Sequence, residues 1–425
     1  MADHTILAPA ELQSIADYIE AQLELDTPQD TMHLCGPALV RDIASNPDYV
    51  LQTAHKKINT KPYANVQPCW LRLYEDASLS KAVQLMRAAS TDLSLIVSVL
   101  DHGIAQSGAP GRRHVFESVF ERLRELAADD YSIYPASSAP STPATRRCKF
   151  PIVKTTAVPN FETFQEHLDT QNTPIIIPRA IDSWPALEKW TSPAYLLKQT
   201  LGGRRLVPVE IGRSYTDEGW HQQVMSFRDF LDTHLLKSGT ETEIGYLAQH
   251  DLLSQIPAFR ADISVPDYCY TCPPAPEKRF RPSSHESTPQ LDEPLLNVWL
   301  GPAGTRTPLH CDPYDNILAQ VVGYKYIRLY PPSATPCLYP CGVDEHGANL
   351  DNTSQVDVGL VRDAELGDRV DIDAVRDQKL RFPLSEHAQY EEGVLGPGEC
   401  LYVPAGWWHY VESVTLSFSV SFWWN

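Results

Sequence analysis

Apolar side chains recur at every third or fourth position through residues 6–130, which is the spacing of amphipathic helices. Near the start of the chain, Pro9 suits the first turn of a helix, and it is followed at helical spacing by Leu12, Ile15, Tyr18, Ile19 and Leu23. Residues 78–104 and 112–130 repeat the pattern. We therefore predict an all-α helical domain over residues 1–130. Its apolar stripes suffice to form its own core, and the domain is also a candidate to bind a partner protein.

The pattern changes after a segment rich in Ser, Pro, Ala and Thr at residues 131–147, which we predict to be a flexible linker. Beyond it, short apolar runs typical of strands alternate with turns rich in Pro and Gly, as in an antiparallel sandwich or barrel. We predict a second domain over residues 148–425, with its strand core over about 295–425. Within it, residues 272–294 are typical of a flexible insertion, and residues 357–380 of a charged surface elaboration.

Two of the predicted strands carry polar side chains on faces that have reason to be buried. In residues 324–330, Lys325 falls on the same side as Ile327 and Leu329. A lysine on an apolar face is costly to bury unless it meets an anion or extends to solvent. In the last strand, one face carries Ser417, Ser419, Ser421 and Trp423. Although a solvated serine face is the commoner arrangement, the tryptophan favours a cavity, and Lys325 is then placed to pair with a ligand carboxylate.

The strongest candidate for chemistry is the pair His310 and Asp312. One residue separates them, so on a strand both side chains fall on one face, where two ligands can reach one ion. His409 offers a third ligand from near the end of the chain. Two histidines and one carboxylate match the facial triad of non-haem Fe(II) oxygenases, which leaves coordination positions open, whereas a structural zinc site is closed by four ligands. The alternative is a turn that happens to contain two polar residues.

Composition and charge narrow the range of functions. The chain has 425 residues and a net charge of −19, and it has no basic stripe for a phosphate backbone, so we expect no direct nucleic-acid binding. No apolar run is long enough to span a membrane and no secretory signal is evident, so we expect neither membrane association nor secretion. Nine cysteines form no disulfide framework, but the pairs Cys269/Cys272 and Cys337/Cys341 leave a structural zinc site as an alternative.

Several longer blocks resemble the JmjC family of 2-oxoglutarate oxygenases, and within it the lysine demethylase 8 branch. The densest blocks are IGYLAQHDLLSQIP, DISVPDYC, LNVWLGPAGTRTPLHCDPYDNILAQVVGYKYIRLYPP, NTSQVDV and WWHYVESVTLSFSVSFWWN. The resemblance implies an α+β protein. Its helical N-terminal domain is followed by a JmjC double-stranded β-helix, a cupin-like jelly roll with helical decorations.

The resemblance also implies roles for particular residues. The catalytic metal ligands for Fe(II) are His310, Asp312 and His409. The 2-oxoglutarate positions are Thr307, Asn316, Lys325 and Tyr246. The substrate positions are Glu210, Trp220, Gln249 and Trp423. A carboxylate, two aromatic rings and an amide suit a guanidinium group.

The function implied is that of a dioxygenase that uses Fe(II), 2-oxoglutarate and O₂ and releases succinate and CO₂. We expect hydroxylation of an arginine side chain in a protein substrate, because Glu210 suits arginine and an acidic protein favours basic partners. The alternatives are demethylation of a histone N-methyl-lysine by the same chemistry and a catalytically silent JmjC module that binds proteins. A peptidase is disfavoured, since no nucleophile and base pair is evident. The resemblance implies a nuclear location; we expect a nuclear and/or cytoplasmic protein.

Overall fold

The structure is a computed structural model, and it describes residues 9–25, 29–62, 65–88, 92–127, 131–135, 140–143, 148–212, 219–237, 243–344, 347–367 and 371–425. The chain divides into two compact units. The first comprises Met1–Tyr134, Ala194–Val207 and Met225–Asp229, and the second comprises Pro135–Pro193, Pro208–Val224 and Phe230–Asn425. The first unit thus takes in two segments that the sequence pattern assigned to the second domain. Residues 136–139 and 144–147 of the predicted linker lie outside the described residues.

The first unit is helical, as the periodicity predicts. Its main helices are α1 (Pro9–Leu23), α2 (Pro37–Ser45), α3 (Pro47–Ile58), α4 (Pro68–Met86), α5 (Leu93–Ser107) and α6 (Arg113–Leu126). A 3-10 turn at Thr31–Cys35 and a short helix at Pro193–Gln199 complete it. Proline lies in the first turn of α2, α3 and α4, where its missing N–H costs nothing. Gly108 ends α5 in the left-handed conformation, with φ at 71°.

The predicted apolar stripes form the core of this unit. On α1, the side chains of Leu12, Ile15 and Ile19 are buried, and they belong to the same cluster as Val115 and Phe116 of α6. The all-α prediction is confirmed for the described residues, while its first positions, residues 6–8, lie outside them. Packing of the unit's own helices therefore accounts for the stripes that the sequence displays.

The second unit is built mainly of strands. In chain order, the strands of the described residues are β1 (Val153–Lys154), β2 (Ile175–Ile177), β3 (Leu206–Ile211), β4 (His221–Ser226), β5 (Gly245–His250), β6 (Leu295–Gly301), β7 (Arg306–Cys311), β8 (Asp315–Val322), β9 (Lys325–Tyr330), β10 (Glu391–Leu395), β11 (Cys400–Val403), β12 (Trp408–Ser413) and β13 (Ser417–Trp424). The longer helices between them are Phe161–Thr170, Val358–Leu366 and Ile372–Arg381. Shorter helices are Ala186–Lys189, Phe227–Phe230, Leu252–Gln255, Pro257–Arg260 and Thr335–Leu338.

Two sheets form the jelly roll. The larger has the strand order β1-β2-β11-β8-β13-β6-β5-β3-β4, and the smaller has the order β10-β9-β12-β7. From β6 onward, strands cross between the sheets: β6, β8, β11 and β13 lie in the larger sheet, and β7, β9, β10 and β12 in the smaller. This alternation is the double-stranded β-helix that the sequence predicts. The α+β fold class is confirmed.

The strand faces follow the predicted alternation. Ile327 and Leu329 of β9 belong to one buried cluster, whereas Tyr326 and Tyr330 belong to another on the opposite face. Gly323 makes the tight connection from β8 to β9, with φ at 73° and an added Cβ only 1.8 Å from the carbonyl oxygen of Leu416. A side chain cannot be accommodated there, so this glycine fixes where β9, and with it the lysine at its start, begins.

The serine face of β13 is buried. Ser417 and Ser419 lie fully inside and hydrogen-bond the side chain of Gln320, at 2.9 Å each. Ser421 accepts a hydrogen bond from the Trp299 indole at 3.0 Å. The hydroxyl groups therefore pair with buried partners in the jelly roll, and the solvated alternative does not apply.

The segment 272–294 differs from the flexible insertion that its composition suggests. It contains 3-10 turns at Lys278–Phe280 and Ser283–His285. Asp351 accepts hydrogen bonds from the backbone N–H groups of Ser283 and Ser284, and the Leu291 N–H donates to Asn425 Oδ1 at 3.0 Å. These side-chain partners lie far along the chain, so composition alone does not predict them.

The charged segment 357–380 is likewise more than a solvated surface. Its first helix, Val358–Leu366, lies against the smaller sheet through ion pairs between side chains of the helix and of the strands. The pairs are Arg306–Asp363, Arg328–Glu365 and Arg362–Glu412, each at 2.6 Å. Alternating charges in this segment therefore match charges on β7, β9 and β12.

Among the described residues, no helix is both long and apolar enough to cross a membrane.

Asp315, at the start of β8, provides a test of the buried core of the jelly roll. Its side chain is 3% exposed and accepts a hydrogen bond from the Tyr402 hydroxyl at 2.6 Å. Burial raises the pKa of Asp315 to about 7. A raised carboxyl pKa means that the folded state holds its proton longer than the unfolded state, so this carboxyl's contribution to stability falls as pH rises from about 4 to about 7.

We predict that Asp315→Asn gains stability relative to wild type as pH is raised from about 5 to about 8, by about 2–4 kcal/mol in the free energy of unfolding. The amide does not ionise, so it escapes the cost of a buried charge. Denaturant unfolding of metal-free protein at each pH measures the difference. Any lost hydrogen bond shifts the variant equally at every pH, so an unchanged difference between the two proteins would contradict the buried-carboxylate assignment.

Candidate active site

Three potential metal ligands meet inside the jelly roll. His310 lies on β7, Asp312 directly follows that strand, and His409 lies on β12. One ligand atom from each lies within 4.8 Å of the others. The Nε2 atom of His310 is 3.8 Å from Asp312 Oδ1, and that of His409 is 3.5 Å from Asp312 Oδ2. Within the described part of the chain, this is the one cluster of three such side chains.

Strand pairing produces this geometry. Strands β7 and β12 are antiparallel neighbours, and His310 lies directly opposite His409 in their register. Each imidazole donates its Nδ1–H to the carbonyl two residues earlier, that of Pro308 at 2.8 Å and that of Trp407 at 3.0 Å. These hydrogen bonds direct each Nε2 atom toward Asp312, which is how backbone carbonyls orient histidine ligands in metal sites.

Burial and neighbouring charges shift the pKa values of the three side chains in different directions. Burial, together with the adjacent His409, lowers the pKa of His310 to about 4. Burial alone would raise the pKa of Asp312, but His310 and His409 outweigh it and hold that pKa below its usual value. Burial would also lower the pKa of His409, but its hydrogen bond with Asp312 raises it instead. A neutral imidazole and an ionised carboxylate are the forms that bind metals.

Lys325 is buried beside the cluster, as strand alternation predicts. It is 2% exposed, and its Nζ donates to the Tyr246 hydroxyl at 3.2 Å. The Nζ also lies 5.7 Å and 5.8 Å from the ring centroids of Tyr246 and Trp299. Thr307 hydrogen-bonds to the same tyrosine hydroxyl. Among the described residues, no carboxylate forms an ion pair with this ammonium group, so an anion bound in the cavity would supply the missing counter-charge.

The remaining predicted 2-oxoglutarate position, Asn316, lies on the same cavity. Tyr246, Thr307, Lys325 and the three candidate metal ligands line it as well. Asn316 Oδ1 is buried, and within the described residues it has no hydrogen-bond partner; the same holds for Nε1 of Trp423, which lies opposite in the strand register. Buried polar atoms without hydrogen-bond partners, together with an ammonium group without a counter-charge, indicate that the cavity binds a small polar acid.

The predicted substrate residues Glu210 and Trp220 lie together at the neighbouring edge of the larger sheet. The Trp220 indole N–H donates to Glu210 Oε2 at 3.4 Å. Glu210 lies opposite Tyr246 in the pairing of β3 with β5. Burial raises the pKa of Glu210, and the Trp220 hydrogen bond lowers it only in part. The structure thus places a desolvated carboxylate next to the tyrosine that contacts Lys325.

The other two predicted substrate residues differ in their surroundings. Trp423 is 8% exposed, lines the cavity, and stacks on Tyr314 with ring centroids 5.6 Å apart. Gln249 is exposed and has a left-handed φ of 46°, at an irregularity in the pairing of β5 with β6. Its side chain makes no hydrogen bond with Glu210, Trp220 or Trp423. Backbone strain of this kind is typical of functional sites, but the role of Gln249 stays a prediction.

Sequence patterns identified one further residue that lines the cavity, Ser421, and missed another, Trp299. Trp299 on β6 lies 6.0 Å from Tyr246 between ring centroids and forms part of the wall around Lys325. Ser421 lines the cavity through the face that the alternation had flagged. The alternation of β6 places Trp299 on one face with Asn297, which was a usable signal. Cys311, between two of the candidate ligands, is buried in a cluster on the opposite strand face.

Taken together, these residues fit Fe(II) and 2-oxoglutarate. Two imidazoles and a carboxylate supply three ligands and leave coordination positions for small molecules. The buried ammonium of Lys325, with the hydroxyl groups of Thr307 and Tyr246, suits the distant carboxylate of a dicarboxylic acid. The cysteine pairs considered for zinc do not enter the three-ligand cluster found among the described residues.

Comparison with known proteins agrees with this chemistry. Residues 161–425 match the cupin-like domain family. "Lysine-specific demethylase 8" of Danio rerio is 34% identical over 398 residues, covering 90% of this chain and 87% of that protein. The protein of the same name in Xenopus tropicalis is 41% identical over 267 residues, or 63% of this chain and 51% of that protein. Human "Bifunctional peptidase and (3S)-lysyl hydroxylase JMJD7" is 26% identical over 263 residues, covering 60% of this chain and 78% of that protein.

The buried lysine generates a pH prediction. Burial lowers the pKa of Lys325 to about 7, yet pairing with a carboxylate requires the protonated form. We predict that the Kd for 2-oxoglutarate rises by up to about tenfold per pH unit above about pH 7, because binding must then take up a proton. Calorimetric titration of the Mn(II)-loaded protein under nitrogen measures this slope.

Lys325→Arg is the matched variant, because guanidinium stays charged throughout this pH range. Its affinity for 2-oxoglutarate is expected to be weaker at every pH, since the group is larger, but the steep pH dependence should be lost. Effects of pH on the metal ligands are common to both proteins and cancel in the comparison. Equal slopes in the two proteins would rule out Lys325 as the titrating group.

Proposed function

The chain belongs to the cupin-like family and, within it, to the JmjC dioxygenases that depend on 2-oxoglutarate; from this premise we propose that it hydroxylates an arginine side chain in a protein substrate. The names of the relatives record lysine demethylation and lysyl hydroxylation. Both activities act on a basic side chain of a protein, and the proposal for this chain shares that feature. The choice of arginine rests on this chain's own residues.

The carboxylate of Glu210 is the observation that carries the proposal. It is half-buried, and burial raises its pKa. In the described part of the chain, no Lys, Arg or His side chain lies within 4 Å of it, and it accepts hydrogen bonds from the neutral side chains of Trp220 and Gln222. A desolvated carboxylate without a cation favours a cationic ligand. Arginine's planar group pairs with a carboxylate through two parallel hydrogen bonds while its face packs on an aromatic ring.

Each part of the site has a distinct task in this reaction. Bound iron and 2-oxoglutarate supply the oxidising chemistry, with release of succinate and CO₂. His310, Asp312 and His409 would hold the metal, and Lys325 would orient the cosubstrate through its far carboxylate. Glu210 holds the substrate cation so that a neighbouring C–H bond lies at the metal, which is positioning rather than bond-making.

Demethylation of an N-methyl-lysine is the second candidate, and the names of the relatives favour it. A methylated ammonium takes cation–π contacts from aromatic rings such as Trp220 and Trp423. It gains less from Glu210, because each methyl group replaces a hydrogen-bond donor. A silent binding module is the third candidate. The grouping of His310, Asp312 and His409 at ligand distances supports an active enzyme instead.

Mass spectrometry of peptides after turnover tests the proposal. With Fe(II), 2-oxoglutarate and ascorbate, we expect an arginine-containing peptide to gain the mass of one oxygen atom, located on the arginine by fragmentation. Formaldehyde release with loss of a methyl group from methyl-lysine peptides, and no gain on arginine peptides, would establish the demethylase instead. Equal succinate release by wild type and His310→Ala would establish the silent module.

Glu210→Gln is predicted to lower kcat/KM for an arginine peptide by about 30-fold or more, equivalent to about 2 kcal/mol or more for a desolvated charge partner. The amide keeps the size of the side chain and removes the charge. The control is Glu162→Gln, which alters an exposed carboxylate on the helix Phe161–Thr170. A fall of less than about twofold in the Glu210 variant would remove the argument for a cationic substrate at this carboxylate.

A further inference from the structure

A small cavity beside the candidate metal site takes no part in the reaction described above. Asp312 lies on its wall, together with Phe280, Arg281 and His285 from the segment 272–294. A candidate metal ligand and an arginine side chain therefore face a common space. The arginine belongs to the segment whose composition suggested only a flexible insertion.

The same segment borders the site between Asp312 and Trp423. At one end, Asp351 holds Ser283 through hydrogen bonds to its backbone N–H and hydroxyl, at 2.6 Å each. At the other end, the Tyr314 hydroxyl donates to the Pro289 carbonyl at 3.3 Å, and Tyr314 stacks on Trp423. The proposed substrate, a polypeptide with one side chain at Trp423 and the metal, would bring its neighbouring residues to this border.

Arg281 has the capacity to bind an anion there. Its side chain is exposed, and Nη2 donates to the carbonyl oxygen of His285, which fixes the direction of the guanidinium group. Within the described ranges, no Asp or Glu carboxylate lies within 4 Å of it. A guanidinium group carries five N–H donors, and one hydrogen bond to a carbonyl leaves others for a carboxylate in a two-pronged pair.

The charges around the cavity define the occupant more closely. Glu277 also lies on the cavity wall, and within the described residues it makes no ion pair with Arg281. Its negative charge opposes an incoming carboxylate, so it reduces the attraction without abolishing it. Lys278 and Arg279 precede Arg281 and are exposed. This short run is cationic in a chain whose net charge is −19, and cations at such a rim select partners by charge complementarity.

We propose that Arg281 is a specificity-determining residue that binds an acidic side chain of the protein substrate, near in sequence to the basic side chain that is oxidised. The site then recognises two opposite charges: Glu210 takes the cation, and Arg281 takes the neighbouring anion. This proposal rests on the proposed function only in requiring a protein substrate with a basic target, and it holds equally for arginine and methyl-lysine.

Binding of matched peptides tests the assignment. The probes are short fluorescein-labelled peptides with a central arginine or a central methyl-lysine and a single Asp placed at each position on either side. Each is paired with an isosteric Asn peptide. Anisotropy is measured on Mn(II)-loaded protein with 2-oxoglutarate under nitrogen, so that no turnover occurs. The readout is the ratio of Kd values for each Asn and Asp pair, which is internal to each protein and insensitive to its folded fraction.

At one or more positions we expect wild type to bind the Asp peptide about 2- to 5-fold more tightly than its Asn partner, as for an exposed ion pair. Arg281→Gln should bring that ratio to about one, and Arg281→Glu should invert it. The matched control is Arg279→Gln, because Arg279 is exposed on the same segment with its guanidinium 5.1 Å from the Phe280 ring centroid, and it should leave the ratio as in wild type. Glu277→Gln should increase the ratio.

Failure of this proposal differs from failure of the proposed function. A wild-type ratio of one at every position, a ratio that Arg281→Gln leaves unchanged, or the absence of binding by every peptide would overturn the role of Arg281. An Asp preference that depends on Arg281, without any oxygen gained by arginine peptides in air with Fe(II), would uphold that role and reject arginine hydroxylation.

Discussion

The direct pairing of His310 with His409 across β7 and β12 is the constraint on which the rest of the site depends. It brings two imidazoles to within 4.1 Å between ring centroids, a separation that protonated rings would not tolerate. The backbone carbonyls of Pro308 and Trp407, each two residues before its histidine, orient the two rings, so the backbone itself sets the ligand geometry. Asp312 joins them because it ends the same strand. The pairing of β7 with β12 therefore holds the three candidate metal ligands together.

Near these ligands, two ionisable groups of opposite charge and without an ion-pair partner among the described residues both neighbour Tyr246. Lys325 contacts the Tyr246 hydroxyl, and Glu210 lies across from Tyr246 in the strand register. Each would be costly to bury in an isolated protein, and each is satisfied by a ligand of the other sign. In the proposed function, the cosubstrate carboxylate pairs with Lys325 and the substrate cation pairs with Glu210. The unfavourable burial of these groups is thus the physical basis of binding.

Periodicity predicted the parts of the protein that depend on one element at a time. The helical stripes of the first unit, the alternation that buries Lys325 and the serine face of β13 all follow from residue spacing. The pairing of Glu210 with Tyr246 joins distant strands, and only the family resemblance pointed to those positions. The composition of the segment 272–294 did not reveal its hydrogen-bond partners, because Asp351 lies 68 residues beyond Ser283 and Asn425 lies 134 residues beyond Leu291. Long-range hydrogen bonds leave no local pattern.

The most direct test of this account is the visible charge-transfer absorption that Fe(II) and 2-oxoglutarate produce together when both occupy one site under nitrogen. The account predicts that the band appears in wild-type protein only after both are added, and that Asp312→Ala abolishes it. Lys325→Met should require a much higher 2-oxoglutarate concentration to produce it. A band of equal intensity in Asp312→Ala, or no band in folded wild-type protein, would contradict the claim that this cluster holds iron and its cosubstrate.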